Sequence, residues 1–389
     1  MMTSVPMQVN QTDKGRSLFL TQPVPAGAVL LQEQPCIAWP VRKYVSSTCA
    51  SCMKYTHNVA YQLCCGVCRE MFYCSEHCMA LHAPSHAAVC SSFTALHSVA
   101  ESVNEDIDSS IRLVIEVTRL KLCDDVNFQR FMSQTSAGIT LTEEEEHASR
   151  MALDFASISA PDLSLPWIRE IIAKDKACGQ AVMLPSNIRL EMASEAGEDE
   201  VVEMIRGFAA LPMLSLANHS CMPNCCRWDN ADHIMGRADT GTIFQVPDTE
   251  KTLTFSFRAL YDLPAGTELA LSYVPILWSY EDRKEYCEDM FGFTCNCPRC
   301  LIESQYDDNE EETGEMIEKN EAVAPGMDES YISLFIMRHG CDVENCTGTL
   351  TPCAGFNAED AERDIYICNV CLHQRRHSEF IEIVTGDDY

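Results

Sequence analysis

Leu214-Ser215-Leu216-Ala217-Asn218-His219-Ser220-Cys221-Met222-Pro223-Asn224 joins two amides, an imidazole and a thiol directly behind an apolar run. A turn of this composition can hold a metal ligand and part of a small-molecule site together. The thiol gains its meaning from a distant motif. Cys295-x-Cys297-x2-Cys300 offers three thiolates, one short of the tetrahedral set that zinc takes, and Cys221 can supply the fourth. A chain that joins residue 221 to residue 300 builds its core from segments far apart in sequence.

The flanks agree. Lys14-Gly15-Arg16-Ser17-Leu18-Phe19-Leu20 opens a strand-like segment, Pro25-Ala26-Gly27 is a turn signal, and Val29-Leu30-Leu31 resumes an apolar strand. The device recurs late in the chain. Leu253, Phe255 and Phe257 alternate as a half-buried strand, Pro264-Ala265-Gly266 turns, and Glu268 to Tyr273 runs out as a second strand. Between them lie two insertions. Residues 49–90 have almost no apolar periodicity and hold the main cysteine cluster. Residues 101–195 read as helical, with Ile111, Val114, Ile115 and Leu122 on one face and Glu143 to Glu146 as a solvated acidic face. Residues 303–330 are acidic with few large apolar groups, which reads as a linker.

Composition bounds the function. The 389 residues, 46% hydrophobic and 22% charged, suit two or three globular domains. No apolar run approaches the ~20 residues of a membrane span, and no signal peptide is evident, so a soluble protein of cytoplasm and/or nucleus is expected, without membrane association. Net charge −30 repels phosphate backbones and disfavours direct nucleic-acid binding; it attracts Lys-rich peptides instead. The 23 cysteines, mostly in C-x2-C and C-x3-C spacings, read as zinc ligands in a reducing compartment.

Four ligand pairs stand in the first insertion: Cys49-x2-Cys52, Cys65-x2-Cys68, Cys74-x3-Cys78 and His86-x3-Cys90. Eight ligands make two tetrahedral sites, and a segment this short needs metal to fold, since structural zinc contributes ~10–16 kcal/mol in small modules. Near the end, Cys341-x4-Cys346 and Cys368-x2-Cys371 can bind a fourth zinc in a small ribbon, with Cys353 as a substitute ligand.

The order of pairs in the first insertion, with Tyr73-Cys74-Ser75, resembles the MYND finger. Gly15-Arg16-Ser17-Leu18, Asn218-His219-Ser220-Cys221-x-Pro223-Asn224, Gly266-x-Glu268-Leu269-x3-Tyr273 and the C-x-C-x2-C motif resemble SET-domain protein methyltransferases in the same order. Together they resemble the SET–MYND (SMYD) protein-lysine methyltransferases over residues 10–300. The resemblance implies an α+β protein: a β-rich SET fold split by an inserted MYND zinc finger and a helical insert, with a post-SET zinc site and a small C-terminal Cys-rich piece. The implied boundaries are 1–48 for the N-terminal SET part, 49–90 for the finger, and 91–210 for the helical linker and insert. The SET core follows at 211–280, the post-SET segment at 281–302, the linker at 303–330 and the Cys-rich piece at 331–389.

Cross-braced zinc sites are implied as well: Cys49, Cys52, Cys74 and Cys78 on one ion, Cys65, Cys68, His86 and Cys90 on the other, with His82 the competing imidazole. The resemblance further implies S-adenosylmethionine as cofactor, held by Lys14, Gly15, Arg16, Asn218, His219 and Phe293, with Tyr273 lining the lysine channel as the catalytic phenol and touching the cofactor. A basic Lys-containing protein substrate and a Pro-containing partner at the finger are expected. The chain departs from the pattern twice. Phe291 stands where a second channel tyrosine is usual, and Cys178-Gly179-Gln180 lacks the usual Asn-x-Phe/His element. These departures keep a second reading open, a weak or inactive adaptor acting through the finger.

Overall fold

The computed structural model describes residues 3–57, 59–185, 205–229, 253–305, 328–353, 355–360 and 364–385. They fall into two compact units.

The first unit comprises Glu33–Ser215 with Asp229–Phe255. Its centre is the helix Glu105–Cys123. The Asn104 side chain accepts from the Ile107 N–H at 2.8 Å, and Glu105, Asp106 and Asp108 complement the positive helix N-terminus. Ile111, Val114 and Ile115 are fully buried against the helices Glu143–Ser157 and Leu165–Cys178. Burial along this face ends at Leu120, so Leu122 in the last turn is 48% exposed and not part of the core as its spacing suggested. The acidic run lies at the surface as expected, and its carboxylates are also partnered. Thr142 and Glu145 form a capping box, Glu146 accepts from Arg169 (2.9 and 2.6 Å), and Glu144 accepts from Asn104 at 2.8 Å. A helix start presents unpaired N–H groups, and carboxylates there find partners that composition alone does not show.

The helical insert ends in a strand. Gly179–Met183 pairs antiparallel with Ile205–Ala210, which pairs antiparallel with Ile37–Pro40. Residues 186–195, included in the helical expectation, lie outside the described residues. The cysteine-rich segment contributes a small hairpin, Leu63–Cys64 with Phe72–Tyr73, and the helix Glu76–His86, capped by Ser75 accepting from the Cys78 N–H at 3.2 Å. A buried ion network ties this segment to the central helix. Glu70 meets Arg42 (2.9 Å), His97 (2.6 Å) and Arg112, and Arg112 Nε also donates to Asp108 at 2.6 Å. Burial pushes the Glu70 carboxyl up, but Arg112, His97 and Arg42 outweigh it and hold the group below the usual carboxylate range.

The second unit comprises residues 2–32, 216–228 and 256–389. A four-stranded sheet runs in the order Thr3–Ser4, Val29–Glu33, Phe255–Ala259, Cys225–Asp229, joining pieces from both ends of the chain. Phe255–Ala259 is buried along its whole length, not on alternate residues. Ser256 and Arg258 are as inaccessible as Phe255 and Phe257, because the strand is internal to the sheet and covered on both faces. Arg258 is accommodated over the Trp228 ring, 5.2 Å from its centroid.

A hairpin, Met7–Thr12 with Gly15–Leu20, stands beside this sheet in sequence. Both Pro-Ala-Gly turns have their glycine at positive φ, +73° at Gly27 and +85° at Gly266. Gly27 carries a second constraint, since a Cβ there would sit 2.1 Å from the Cys353 carbonyl. The C-terminal piece is the helix Glu329–His339 with a three-stranded antiparallel sheet, Leu350–Pro352, Ile365–Cys368 and Gln374–Arg376. The acidic linker falls largely at 306–327, outside the described residues. No helix among the described residues is long and apolar enough to cross a membrane.

Candidate active site and metal centres

The site is built where the second unit crosses over itself. The strand Gly15–Leu20 is joined by the late segment after Gly266: Gly266 N–H donates to Leu20 O (2.8 Å), Leu20 N–H to Thr267 O (2.9 Å) and Leu269 N–H to Leu18 O (2.8 Å). The chain then changes partner. Ala270–Leu271 runs parallel to Asn218–His219, so the strand expected over Glu268 to Tyr273 is a two-residue ladder. Asn224 fastens the crossing. Its Oδ1 accepts from the Ala270 N–H (2.9 Å), its Nδ2 donates to the Glu268 carbonyl (2.7 Å), and its own N–H donates to Ala270 O (3.1 Å). One side chain thus does the work of a neighbouring strand.

Each predicted site residue has a definite place. Gly15 adopts φ +103° with no atom within 4 Å of where a Cβ would stand, and Lys14 and Arg16 are exposed at that hairpin tip. Asn218 Nδ2 donates to Ser17 Oγ and to Glu268 Oε1 (3.0 Å), which leaves Oδ1 as its acceptor. His219 is buried. Its Nδ1 accepts from the Tyr273 N–H at 3.0 Å, so the ring proton sits on Nε2, 3.2 Å from Cys221 Sγ. The imidazole faces the cysteine cluster, while its ring plane lies among aromatics: 5.2 Å from Tyr273 and 5.5 Å from Phe293, centroid to centroid. The Tyr273 hydroxyl donates to Ala217 O at 2.8 Å. Phe291 completes the ring cluster, 5.1 Å from Tyr273 and 6.2 Å from Phe293.

Sequence reasoning did not single out Asn224 as a clasp, the Glu268 and Ala217 acceptors, or Cys287, whose thiol lies 3.9 Å from His219 Nε2. Asn224 and Glu268 stood within the quoted motifs; a backbone carbonyl such as Ala217 leaves no sequence signal. Cys178-Gly179-Gln180 lies in the first unit, where Ser215 Oγ donates to the Cys178 carbonyl at 3.0 Å.

Among the described residues four quartets of metal-ligating atoms occur, each with all donors within 4.8 Å of one another: Cys49/Cys52/Cys74/Cys78, Cys65/Cys68/His86/Cys90, Cys221/Cys295/Cys297/Cys300 and Cys341/Cys346/Cys368/Cys371. Tetrahedral zinc with bonds near 2.3 Å requires sulfurs ~3.8 Å apart. The pairs Cys52–Cys74, Cys65–Cys90, Cys221–Cys300, Cys221–Cys295 and Cys346–Cys368 stand at 3.6, 3.7, 3.4, 3.9 and 3.6 Å. His86 Nε2 is 3.4 Å from Cys68 Sγ, and burial pushes its imidazole toward the neutral, ligating form. The competing His82 instead meets the Tyr73 hydroxyl at 3.1 Å. Cys353 stands outside the fourth quartet.

Backbone conformation fits the same chemistry. Met53, Arg69 and Leu372, each following the second cysteine of a C-x2-C pair, adopt φ between 57° and 63°. Such strain in non-glycine residues needs a tightly determined turn, as a bidentate pair around one ion imposes. Val370 and Cys371 aim their N–H groups at Cys368 Sγ (3.3 and 3.4 Å), a sulfur that receives donors best as a thiolate. In the third quartet, hydrogen bonding to Cys221 above all holds Cys295 and Cys297 below the ordinary thiol range. Four crowded sulfurs, two of them inclined to ionise, call for a cation, and these sets fit zinc.

A SET-domain family model matches residues 15–274. Histone-lysine N-methyltransferase ASHR2 of Arabidopsis thaliana is 27% identical, over 92% of this chain and 92% of its own length. N-lysine methyltransferase SMYD2-B of Danio rerio is 25% identical over 75% of this chain and 59% of its own length; histone-lysine N-methyltransferase SMYD3 of Mus musculus is 24% identical over 75% and 60%. The chain spans nearly all of the first relative and about three fifths of the other two.

Proposed function

The chain belongs to the SET-domain family, and on that footing we propose that it is a protein-lysine N-methyltransferase of the SET–MYND kind that uses S-adenosylmethionine. The observation that carries this reading is the crossing of Asn218-His219 with Ala270–Leu271, which gathers Tyr273, Phe291, Phe293 and His219 beside the strand opening at Gly15. The cofactor, when bound, supplies an electrophilic methyl group on a sulfonium. The residues suit its parts. Phe293 and His219 offer a ring wall for adenine, Asn218 Oδ1 an acceptor for the ammonium group, and exposed Lys14 and Arg16 cations for the carboxylate, beside a glycine with open space on its side-chain face.

Tyr273 has one role in this reading. Because its O–H donates to Ala217, its oxygen keeps lone pairs to accept from the target amine and hold the nitrogen in line. Alignment of this kind and exclusion of water supply most of the rate in such displacements. Phe291 has no hydroxyl and contributes a wall only. The third cysteine quartet ties the segment after Tyr273 back to the turn at Cys221, so the ring cluster depends on zinc there. In the same reading the first two quartets fold the MYND finger, which recruits a Pro-containing partner, and the fourth holds the C-terminal ribbon.

Transfer of tritiated methyl groups to histones and to whole lysate tests the proposal. Incorporation is expected, with an Asn218/His219 double variant inactive and Tyr273→Phe losing roughly 5- to 150-fold, the equivalent of one lost hydrogen bond of ~1–3 kcal/mol. Absence of cofactor binding at millimolar concentration in calorimetry overturns it; cofactor binding without transfer to any lysine favours the adaptor reading.

A further inference from the structure

The helix Tyr280–Phe291 presents a face that methyl transfer as described does not use. Asp282, Glu285, Tyr286, Asp289 and Met290 recur at helical spacing and, with Trp278, line an open groove of about 500 Å³. Three carboxylates three and four residues apart are neighbours on a helix surface, an arrangement that destabilises an isolated helix. Asp282 accepts from Ser279 Oγ at 2.8 Å at the helix start. Glu285 and Asp289 have no hydrogen bond or ion pair among the described residues. The cation Arg283 does not relieve them, because it turns inward to the Trp278 carbonyl (2.6 Å) and to Glu303.

The groove is also aromatic. Trp278 and Tyr286 meet edge to face with centroids 5.4 Å apart, and Tyr286 (37% exposed) and Met290 (56%) remain open. Ring faces beside unpaired carboxylates form a site for an organic cation. The aromatics continue to the candidate channel, Tyr286 to Phe291 at 6.0 Å and Phe291 to Tyr273 at 5.1 Å. The three ring-to-ring steps span at most about 17 Å, which an extended peptide covers in about five residues.

We propose that this groove docks a basic residue of the protein substrate: a Lys or Arg side chain within about five positions of the methylated lysine lies against Trp278 and Tyr286, among Asp282, Glu285 and Asp289. The inference rests on the methyltransferase reading and adds to it a determinant of which lysines are chosen. The charge complementarity is specific to the helix face, and ring contacts link the groove's Tyr286 through Phe291 to Tyr273.

The test uses the full-length protein and synthetic peptides with one central lysine, Arg or Gln at each of the five positions on either side, and alanine elsewhere. Methyl transfer and fluorescence-anisotropy binding are both read. Wild type is expected to prefer Arg at one or two positions by about five- to tenfold in kcat/KM, mostly through KM, with the preference shrinking as salt rises. Glu285→Gln/Asp289→Asn should lose that preference yet keep the rate on the all-Gln peptide. Its thermal stability should equal or exceed wild type, because like-charge repulsion is removed. Trp278→Leu should weaken the preference partly.

A wild type indifferent to Arg, or a double variant with the preference intact, overturns the proposal. If no peptide is methylated, the methyltransferase reading fails by itself, and the anisotropy difference between wild type and double variant still decides the groove. Self-association that the double variant abolishes, with all peptides bound equally, assigns the groove to a second copy and also overturns the proposal.

Discussion

Replacing His219 by Phe tests whether the imidazole links the third cysteine quartet to Tyr273. The ring is retained, and with it the contacts at 5.2 and 5.5 Å to Tyr273 and Phe293. Two hydrogen bonds go. The Tyr273 N–H loses its acceptor, which costs about 1–3 kcal/mol for a buried donor left unpaired. Cys221 loses the Nε2–H donor that a metal-bound thiolate would accept, and loss of such an outer hydrogen bond typically weakens metal affinity 10- to 100-fold, about 1.4–2.7 kcal/mol. The assay loads the protein with zinc and counts ions released under a graded series of chelators. One zinc per chain is expected to leave His219→Phe at 10- to 100-fold weaker chelation than in wild type, while the remaining zinc leaves as before. His219→Asn separates the two losses: its side-chain oxygen stands near the position of Nδ1 and can restore the bond from Tyr273, but it cannot reach Cys221. Unfolding stability should recover in that variant while the zinc stays loose. If every ion leaves both variants as it leaves wild type, the coupling argued from the 3.2 Å contact is wrong.

Asn224→Ala leaves the Ala270 N–H and the Glu268 carbonyl without their partners and should cost about 2–5 kcal/mol in urea unfolding; a loss below 1 kcal/mol means the crossing does not depend on this clasp. Asp175, half-buried with its Oδ1 shielded from solvent and unpaired, has its carboxyl pushed up to about 7 by desolvation. The folded state therefore holds its proton where the unfolded chain has released it, and stability falls by about 1.4 kcal/mol per pH unit as pH rises from about 5 toward 7. Asp175→Asn should flatten that slope and be the more stable protein at pH 8; an unchanged pH profile refutes the assignment. Phe291→Tyr adds a hydroxyl to a ring 5.1 Å from Tyr273 and should restrict the channel, shifting products toward fewer methyl groups per lysine by mass spectrometry.

What could be read in advance followed from chemistry that has a spacing. Thiols two or three residues apart suit a shared ion, so the ligand pairs starting at Cys49, Cys65 and Cys74 were legible from spacing, the cross-braced sets came from the family resemblance, and a Pro-Ala-Gly triplet marked both turns. Direction was not legible. Nothing in Asn218-His219 tells that the imidazole turns to Cys221 or that the amide is held by Ser17 and Glu268, because partners from residues 17 and 268 arrive only through the fold. Solvation was equally hidden: Ser256 and Arg258 look like the wet face of a strand, and only the sheet order reveals that they have no wet face. Leu122 has the spacing of a core residue, yet burial along the helix stops at Leu120.

The segment between residues 40 and 205 leaves and re-enters the structure through one doorway. Ile37 faces Ala210 and Pro40 faces Gly207 across an antiparallel ladder, and Glu33 receives the N–H groups of Met213 and Leu214 (3.0 and 2.9 Å). With both ends zipped together, the enclosed length is nearly free to vary, since doubling a closed loop adds only about 0.6 kcal/mol of entropy. Such a doorway is a cassette slot: a module housed behind it can be exchanged, shortened or enlarged over evolutionary time, or by an engineer, and the ladder at its threshold need not be redesigned.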